Sequence, residues 1–156
     1  MLSPELLRGY TLFDGLNKSQ YKEVAMISEE VSFPKGTIIF NECDEADSLF
    51  LLIKGTIDLY YGSEEGYYPT FHKKFLAGEI NPGEVFGISA LIEPYVLSET
   101  ARAATNCSTI KIHAKTLREL FVFEPDLGCR FMVHISKAIM ERLGFTRIQH
   151  PVAWSA

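Results

Sequence analysis

Asp47-Ser48-Leu49-Phe50-Leu51-Leu52-Ile53-Lys54-Gly55-Thr56-Ile57-Asp58-Leu59-Tyr60-Tyr61-Gly62 is the stretch on which the fold of this chain turns. Two extended runs, Leu49–Ile53 and Thr56–Tyr61, are separated by a Lys54-Gly55 turn, the pattern of adjacent short strands. The same pattern continues on both sides. Upstream lie Val31–Phe33 and Thr37–Phe40 around Pro34-Lys35-Gly36. Downstream lie Thr70–Leu76, Ala101–Thr105 and Ser108–His113, with turn signals at Gly62–Gly66 and Asn81-Pro82-Gly83. No helix-length segment lies between these strands, which argues against a βαβ fold and for a β-roll or jelly-roll barrel over about residues 30–113.

Both flanks read as helical. About residues 3–29 form the N-terminal helices. Asn17 with Gln20 makes a capping box ahead of Tyr21, Val24, Ala25 and Ile27 at helical spacing. About residues 114–149 form two C-terminal helices. Thr116 with Glu119 suggests a second capping box, and Pro125 suits the first turn of a longer helix. Leu127, Phe131, Ile135, Ala138, Ile139 and then Arg142/Leu143 form its stripe. Gly144 weakens that helix, and Pro151 requires it to stop by His150. The expected architecture is mainly β with flanking helices, as one domain over residues 1–156.

Composition bounds the function. The chain has 156 residues, 47% hydrophobic and 22% charged, which is ordinary for a globular domain. A formal net charge of −5 disfavours a generic nucleic-acid binder. Apolar runs are too short to span a bilayer, and residues 1–20 do not read as a signal peptide. The cysteines Cys43, Cys107 and Cys129 are odd in number and read as reduced thiols of a cytoplasmic protein. His72, His113, His134 and His150 include no His-x-His pair, so no metal site, cofactor or enzymatic constellation is expected. Tyr60, Tyr61, Tyr67, Tyr68 and Phe71 read as cross-strand aromatic pairs of a hairpin, or alternatively as a partner-binding surface.

The order of these pieces resembles the cyclic nucleotide-binding domain family, which includes the effector domains of catabolite activator protein relatives and protein kinase A regulatory subunits. Leu12-Phe13-Asp14-Gly15-Leu16 is similar to the start of the family's first helix. Phe33–Phe40 and Asp47–Gly55 are similar to its first strands, and Pro82-Gly83-Glu84-Val85-Phe86-Gly87 to the lead-in of its phosphate-binding cassette. Glu124-Pro125-Asp126 with the following helix is similar to its hinge and C-helix. The resemblance implies a ligand pocket at Gly83, Glu84, Phe86, Gly87, Ile88, Ser89, Ala90, Leu97, Ser98 and Glu99, with the free N–H groups of Ser89 and Ala90 facing an anion. It also implies a homodimer through Leu127, Phe131, Ile135 and Ile139, and a lid for which Trp154 is the candidate.

Two cassette positions depart from the family. Ligand-binding members carry a glutamate after the Phe-Gly pair and an arginine about ten residues after that glycine; here those positions hold Ile88 and Leu97. Losing a buried charge pair costs about 2–5 kcal/mol, and a hydrogen bond to a charged group about 1.5–3 kcal/mol. Glu93 and Glu99 would further repel a phosphate. The expectation is therefore a non-enzymatic, ligand-sensing regulatory module that is not a tight cyclic AMP binder. On this basis, Ile88→Glu with Leu97→Arg should restore nucleotide binding. The alternatives are an interaction scaffold with a filled pocket, or a true cyclic-nucleotide-binding domain using other residues. Only 13 residues follow Leu143, too few for a winged helix-turn-helix, so a stand-alone or shortened domain without DNA binding is expected.

Overall fold

A computed structural model describes residues 1–62 and 74–149, the side chains of residues 74 and 145–149 excepted. The elements run α1 (Pro4–Leu7), a 3-10 turn (Thr11–Phe13), α2 (Lys18–Met26), β1 (Ser28–Phe33), β2 (Ile38–Phe40), β3 (Ser48–Lys54) and β4 (Ile57–Gly62). They continue with β5 (Lys74–Ile80), β6 (Val85–Phe86), a 3-10 turn (Ile88–Leu91), β7 (Thr100–Ala103), β8 (Cys107–His113), α3 (Ala114–Phe123) and α4 (Pro125–Gln149). The strands pair antiparallel in two four-stranded sheets, β1-β8-β3-β6 and β2-β7-β4-β5.

The apolar run in β3 is continuous because both of its faces are covered. Leu49 and Leu51 join Ile110 and Ile112 of β8 against helical residues that include Leu7, Phe13, Val24, Leu117, Leu127 and Phe131. Phe50 and Leu52 turn the other way, into the roll, and meet Ile57, Leu59, Ile80 and Phe86. Period-two alternation thus feeds two cores from one strand. Gly55 closes the β3–β4 turn at φ +96°, where a Cβ would stand 2.5 Å from the Asn106 carbonyl oxygen, so only glycine fits.

The N-terminal capping box is formed as read. Asn17 Oδ1 accepts from the Gln20 amide at 2.8 Å, and Gln20 Oε1 accepts from the Asn17 amide at 3.0 Å. The second expected box is not. The N-cap of α3 lies three residues earlier, at His113, without a side-chain cap, and Thr116 Oγ1 instead sits 2.8 Å from His113 Nδ1. β8 runs directly into α3, so the chain supplies the first turn before Thr116 can cap it. β6 is two residues long and was not separable from its glycine turns in the sequence. α4 passes through Gly144 and continues to Gln149, 25 residues in all.

Most of the α4 stripe expected at a dimer seam packs inside the protomer. Leu127, Phe131 and Ile135 are fully buried in the protomer's own core, with Phe131 packed 6.0 Å from Phe13 and 5.3 Å from Phe121 between ring centroids. Only Ile139 of that set is substantially exposed. The apolar face left open is a different one. It carries Cys129, Val133 and Met140 on α4 beside Phe121 on α3, around a groove of about 670 Å³, with Phe123 84% exposed at the end of α3.

Tyr67, Tyr68, Phe71, the first part of the Thr70–Leu76 strand and the Trp154 lid lie outside the described residues. Of the aromatic hairpin, Tyr61 and Phe75 are stacked across β4 and β5 with centroids 5.4 Å apart.

Candidate ligand site at the barrel mouth

The segment from Asn81 to Leu97 is held chiefly by backbone. Asn81-Pro82-Gly83-Glu84 is a turn in which the Asn81 amide donates to Glu84 Oε1 at 2.8 Å and the Glu84 amide to the Asn81 carbonyl at 3.1 Å. Gly83 donates to the Leu52 carbonyl at 2.7 Å, which anchors the turn to β3. Phe86 then stacks on Phe50 with centroids 5.0 Å apart and planes 15° from parallel. Gly87 follows at φ +73°, where a Cβ would press on the Ser48 carbonyl at 3.1 Å and the Phe50 ring at 3.3 Å. That contact, more than the turn alone, is why glycine stands here.

Of the two amides of the 3-10 turn after Gly87 that were expected to face an anion, those of Ser89 and Ala90, one has a partner within the turn. The Ala90 N–H is spent on the Gly87 carbonyl at 3.1 Å. Ile88 packs against the helix-side core, and Leu97 is only 5% exposed in a small cluster with Ala46, Ala90 and Ala114. The loop is zipped to the β2–β3 turn: Cys43 donates to the Leu97 carbonyl at 2.8 Å, Leu97 to Asp44 at 2.9 Å, and Ala46 to Tyr95 at 2.8 Å. Arg118 of α3 closes it from the helix side, donating to the Ala90 carbonyl at 2.6 Å and lying 3.9 Å over the Tyr95 ring. Ser98 is exposed, and Ser89 and Glu99 are half-buried.

The charge at the mouth comes instead from α4. Arg142 reaches over the end of β6 and donates to the Val85 carbonyl. It lines two cavities. One, about 310 Å³, is bounded by Thr11, Asp14, Glu84, His134 and Lys137; the other, about 240 Å³, by Leu59, Ala77, Gly78, Ile80 and Glu84. Burial pulls the Arg142 guanidinium below its ordinary pKa, while Glu99 and Glu84 hold it up. Burial pushes the Glu99 carboxyl up, Arg142 opposes this, and Glu42 reinforces it. Glu84, Gly83 and Glu99 of the expected pocket are therefore gathered around Arg142, whereas Ile88, Ala90 and Leu97 serve packing.

In the sequence Arg142 stands at the end of an apolar stripe. Its signal was present nonetheless. Leu127, Phe131, Ile135, Ala138 and Arg142 share one helical face, and a cation on a face that packs against a barrel must meet acceptors there.

A cyclic nucleotide-binding domain model matches residues 30–122. A putative cyclic nucleotide-binding protein from Geobacter metallireducens is 38% identical in sequence and superposes with a TM-score of 0.80, covering 92% of this chain and 99% of that one. The chain belongs to the cyclic nucleotide-binding domain family. The curated relatives of this cyclic nucleotide-binding domain include the cAMP-activated global transcriptional regulator CRP of Pasteurella multocida, 26% identical over 118 residues, which cover 75% of this chain and 52% of the regulator. The chain spans about half the length of the curated relatives it matches. A cAMP-bound regulatory chain, PfPKA-R, is 26% identical with a TM-score of 0.61, over 77% of this chain and 39% of that one. Among the described residues, no cluster of three His, Cys, Asp or Glu is placed to hold a metal, and no helix is long and apolar enough to cross a membrane.

Proposed function

We propose that this cyclic nucleotide-binding domain is a non-enzymatic regulatory module of the cytoplasm that senses a small molecule at the barrel mouth, and that it is not a tight cyclic AMP binder. The observation that carries this reading is Arg142. It ties α4 to the Val85 carbonyl and sits among Glu84 and Glu99, where the two cavities meet. An effector entering between the roll and α4 engages or displaces that guanidinium, and so acts directly on the helix. Glu84 and Glu99 both act on Arg142, and Glu42 on Glu99, so the guanidinium that a phosphate would have to engage is already faced by carboxyl groups, which disfavours a phosphate relative to a neutral or mixed-charge ligand. The effector is thus expected beside Arg142 and Glu84, displaced from the Ile88 and Leu97 positions that the sequence suggested.

The module is expected to act as a homodimer. The open apolar face with Cys129, Val133 and Met140 supports this role better than the buried Leu127–Ile135 stripe.

Thermal shift with cyclic AMP, cyclic GMP and a metabolite panel tests the reading. Stabilisation follows RT ln(1 + [L]/Kd), so 1 mM cyclic AMP should contribute about 0.4 kcal/mol for a millimolar site, against about 4 kcal/mol for a micromolar one. A shift of several degrees with cyclic AMP would overturn the proposal. A metabolite that stabilises the protein and loses its effect in Arg142→Ala would support it.

A further inference from the structure

Two carboxyl groups face one another where α2 meets the α3–α4 junction. Glu23 lies on α2. Glu124 is the one residue between α3 and α4, at φ −129°, ψ 79°, where the helical path breaks. Each side chain is half-buried overall, yet one oxygen of each, Glu23 Oε2 and Glu124 Oε2, is sealed from solvent and receives no hydrogen bond from the described residues. The other Glu124 oxygen accepts a long bond from Gln20 Nε2, at 3.4 Å.

Two ionised carboxylates have acceptors alone and cannot satisfy each other; one proton between them satisfies both sealed oxygens. The Glu23 carboxyl is held above the ordinary glutamate range, first by its hydrogen bond with Glu124, then by burial and by the Glu124 charge. The other charges within six residues of either carboxyl on the packed elements are Lys18 and Lys22 on α2, Arg118 and Glu119 on α3, and Asp126 and Arg130 on α4; Lys115 opens α3, and Lys137, Glu141 and Arg142 lie further along α4. Arg130 is committed elsewhere, to the Gly15 carbonyl at 2.6 Å, and the charge that acts on Glu23 is that of Glu124.

We propose that Glu23 and Glu124 share one proton and form a pH-sensitive latch on the hinge from which α4 departs. With the proton in place, α2 is pinned to the junction. When it leaves, two like charges stand together against the one residue whose backbone joins the helices: its N–H donates to the Leu120 carbonyl, and its carbonyl accepts from Gly128. α4 carries Arg142 to the mouth, so the latch lies at the base of the element that would report ligand. It stands independently of which ligand that is.

The sign is defined by the raised folded-state pKa. The pair contributes stability that is fully present below the ordinary glutamate range and lost as pH rises through the raised value. Melting temperatures of wild type, Glu23→Gln and Glu124→Gln between pH 4 and 8 test it, together with hydrogen exchange of the Glu124 and Gly128 amides corrected for intrinsic rate. An amide replaces the shared proton at every pH, so each variant should melt about 2–4 °C above wild type at pH 7.5 and converge with it near pH 4. Hinge protection in wild type should fall as pH rises, and should stay level in the variants. Variant curves parallel to wild type, or hinge protection in wild type that does not change with pH, would overturn the latch.

Discussion

Arg118 on α3 donates to the Ala90 carbonyl across 2.6 Å while its guanidinium lies 3.9 Å over the Tyr95 ring, so one side chain holds two points of the Asn81–Leu97 loop against the helix that leads to the hinge. A charged hydrogen bond contributes about 1.5–3 kcal/mol, and a cation–π contact about 0.5–1 kcal/mol at exposed sites. Arg118→Ala is therefore expected to cost about 2–3 kcal/mol by urea denaturation. Arg118→Lys keeps the charge but not the planar stack, and should recover about half. A loss below about 0.5 kcal/mol in Arg118→Ala would mean the zipper to the β2–β3 turn holds the loop unaided.

Replacing Ile88 by Glu and Leu97 by Arg tests whether the cassette is two side chains away from a nucleotide site. Leu97 fills a cluster of three alanines, and Ile88 packs on the helix-side core, so both new charges arrive in apolar surroundings. The double variant should lose more than about 2 kcal/mol and show no calorimetric heat with cyclic AMP. A folded variant that binds would restore the sequence-level expectation that only the side chains have diverged.

The two faces of α4 should separate cleanly. Phe131→Ala opens a cavity between Phe13 and Phe121 and should cost about 3–5 kcal/mol. Met140→Glu, at a position 71% exposed, should leave stability within about 0.5 kcal/mol while light scattering reports a monomer in place of a dimer. An unchanged mass would locate any dimer contact away from this groove.

Glu99 and Arg142 make opposite predictions about pH. The Glu99 carboxyl is raised in the folded state, so it contributes stability at low pH that is lost as pH rises through its folded value. Glu99→Gln should flatten the decline of melting temperature between pH 4 and 8. Arg142→Ala removes the charge that opposes the upward shift, and should steepen it. Equal slopes in all three proteins would place Glu99 in solvent.

The roll, its flanking helices, the Asn17 capping box and the family are written locally. They depend on turn residues, alternation and caps that act within a few positions, and these stand in the chain in order. The expectation that Ile88 and Leu97 stand at the cassette positions rests on the same kind of signal, since spacing from Gly87 is a property of the string. The destination of each helical face was not. Periodicity shows that Leu127, Phe131 and Ile135 share a side of α4, but whether that side meets its own roll or another chain depends on how α3 and the Glu124 hinge direct the helix. Arg142 shows the same division most plainly. Helical spacing places it on the stripe, whereas only the crossing of α4 over β6 brings it to the Val85 carbonyl, 57 residues earlier in the chain, and between two glutamates, because contacts at that sequence separation are determined by packing and not by local propensity.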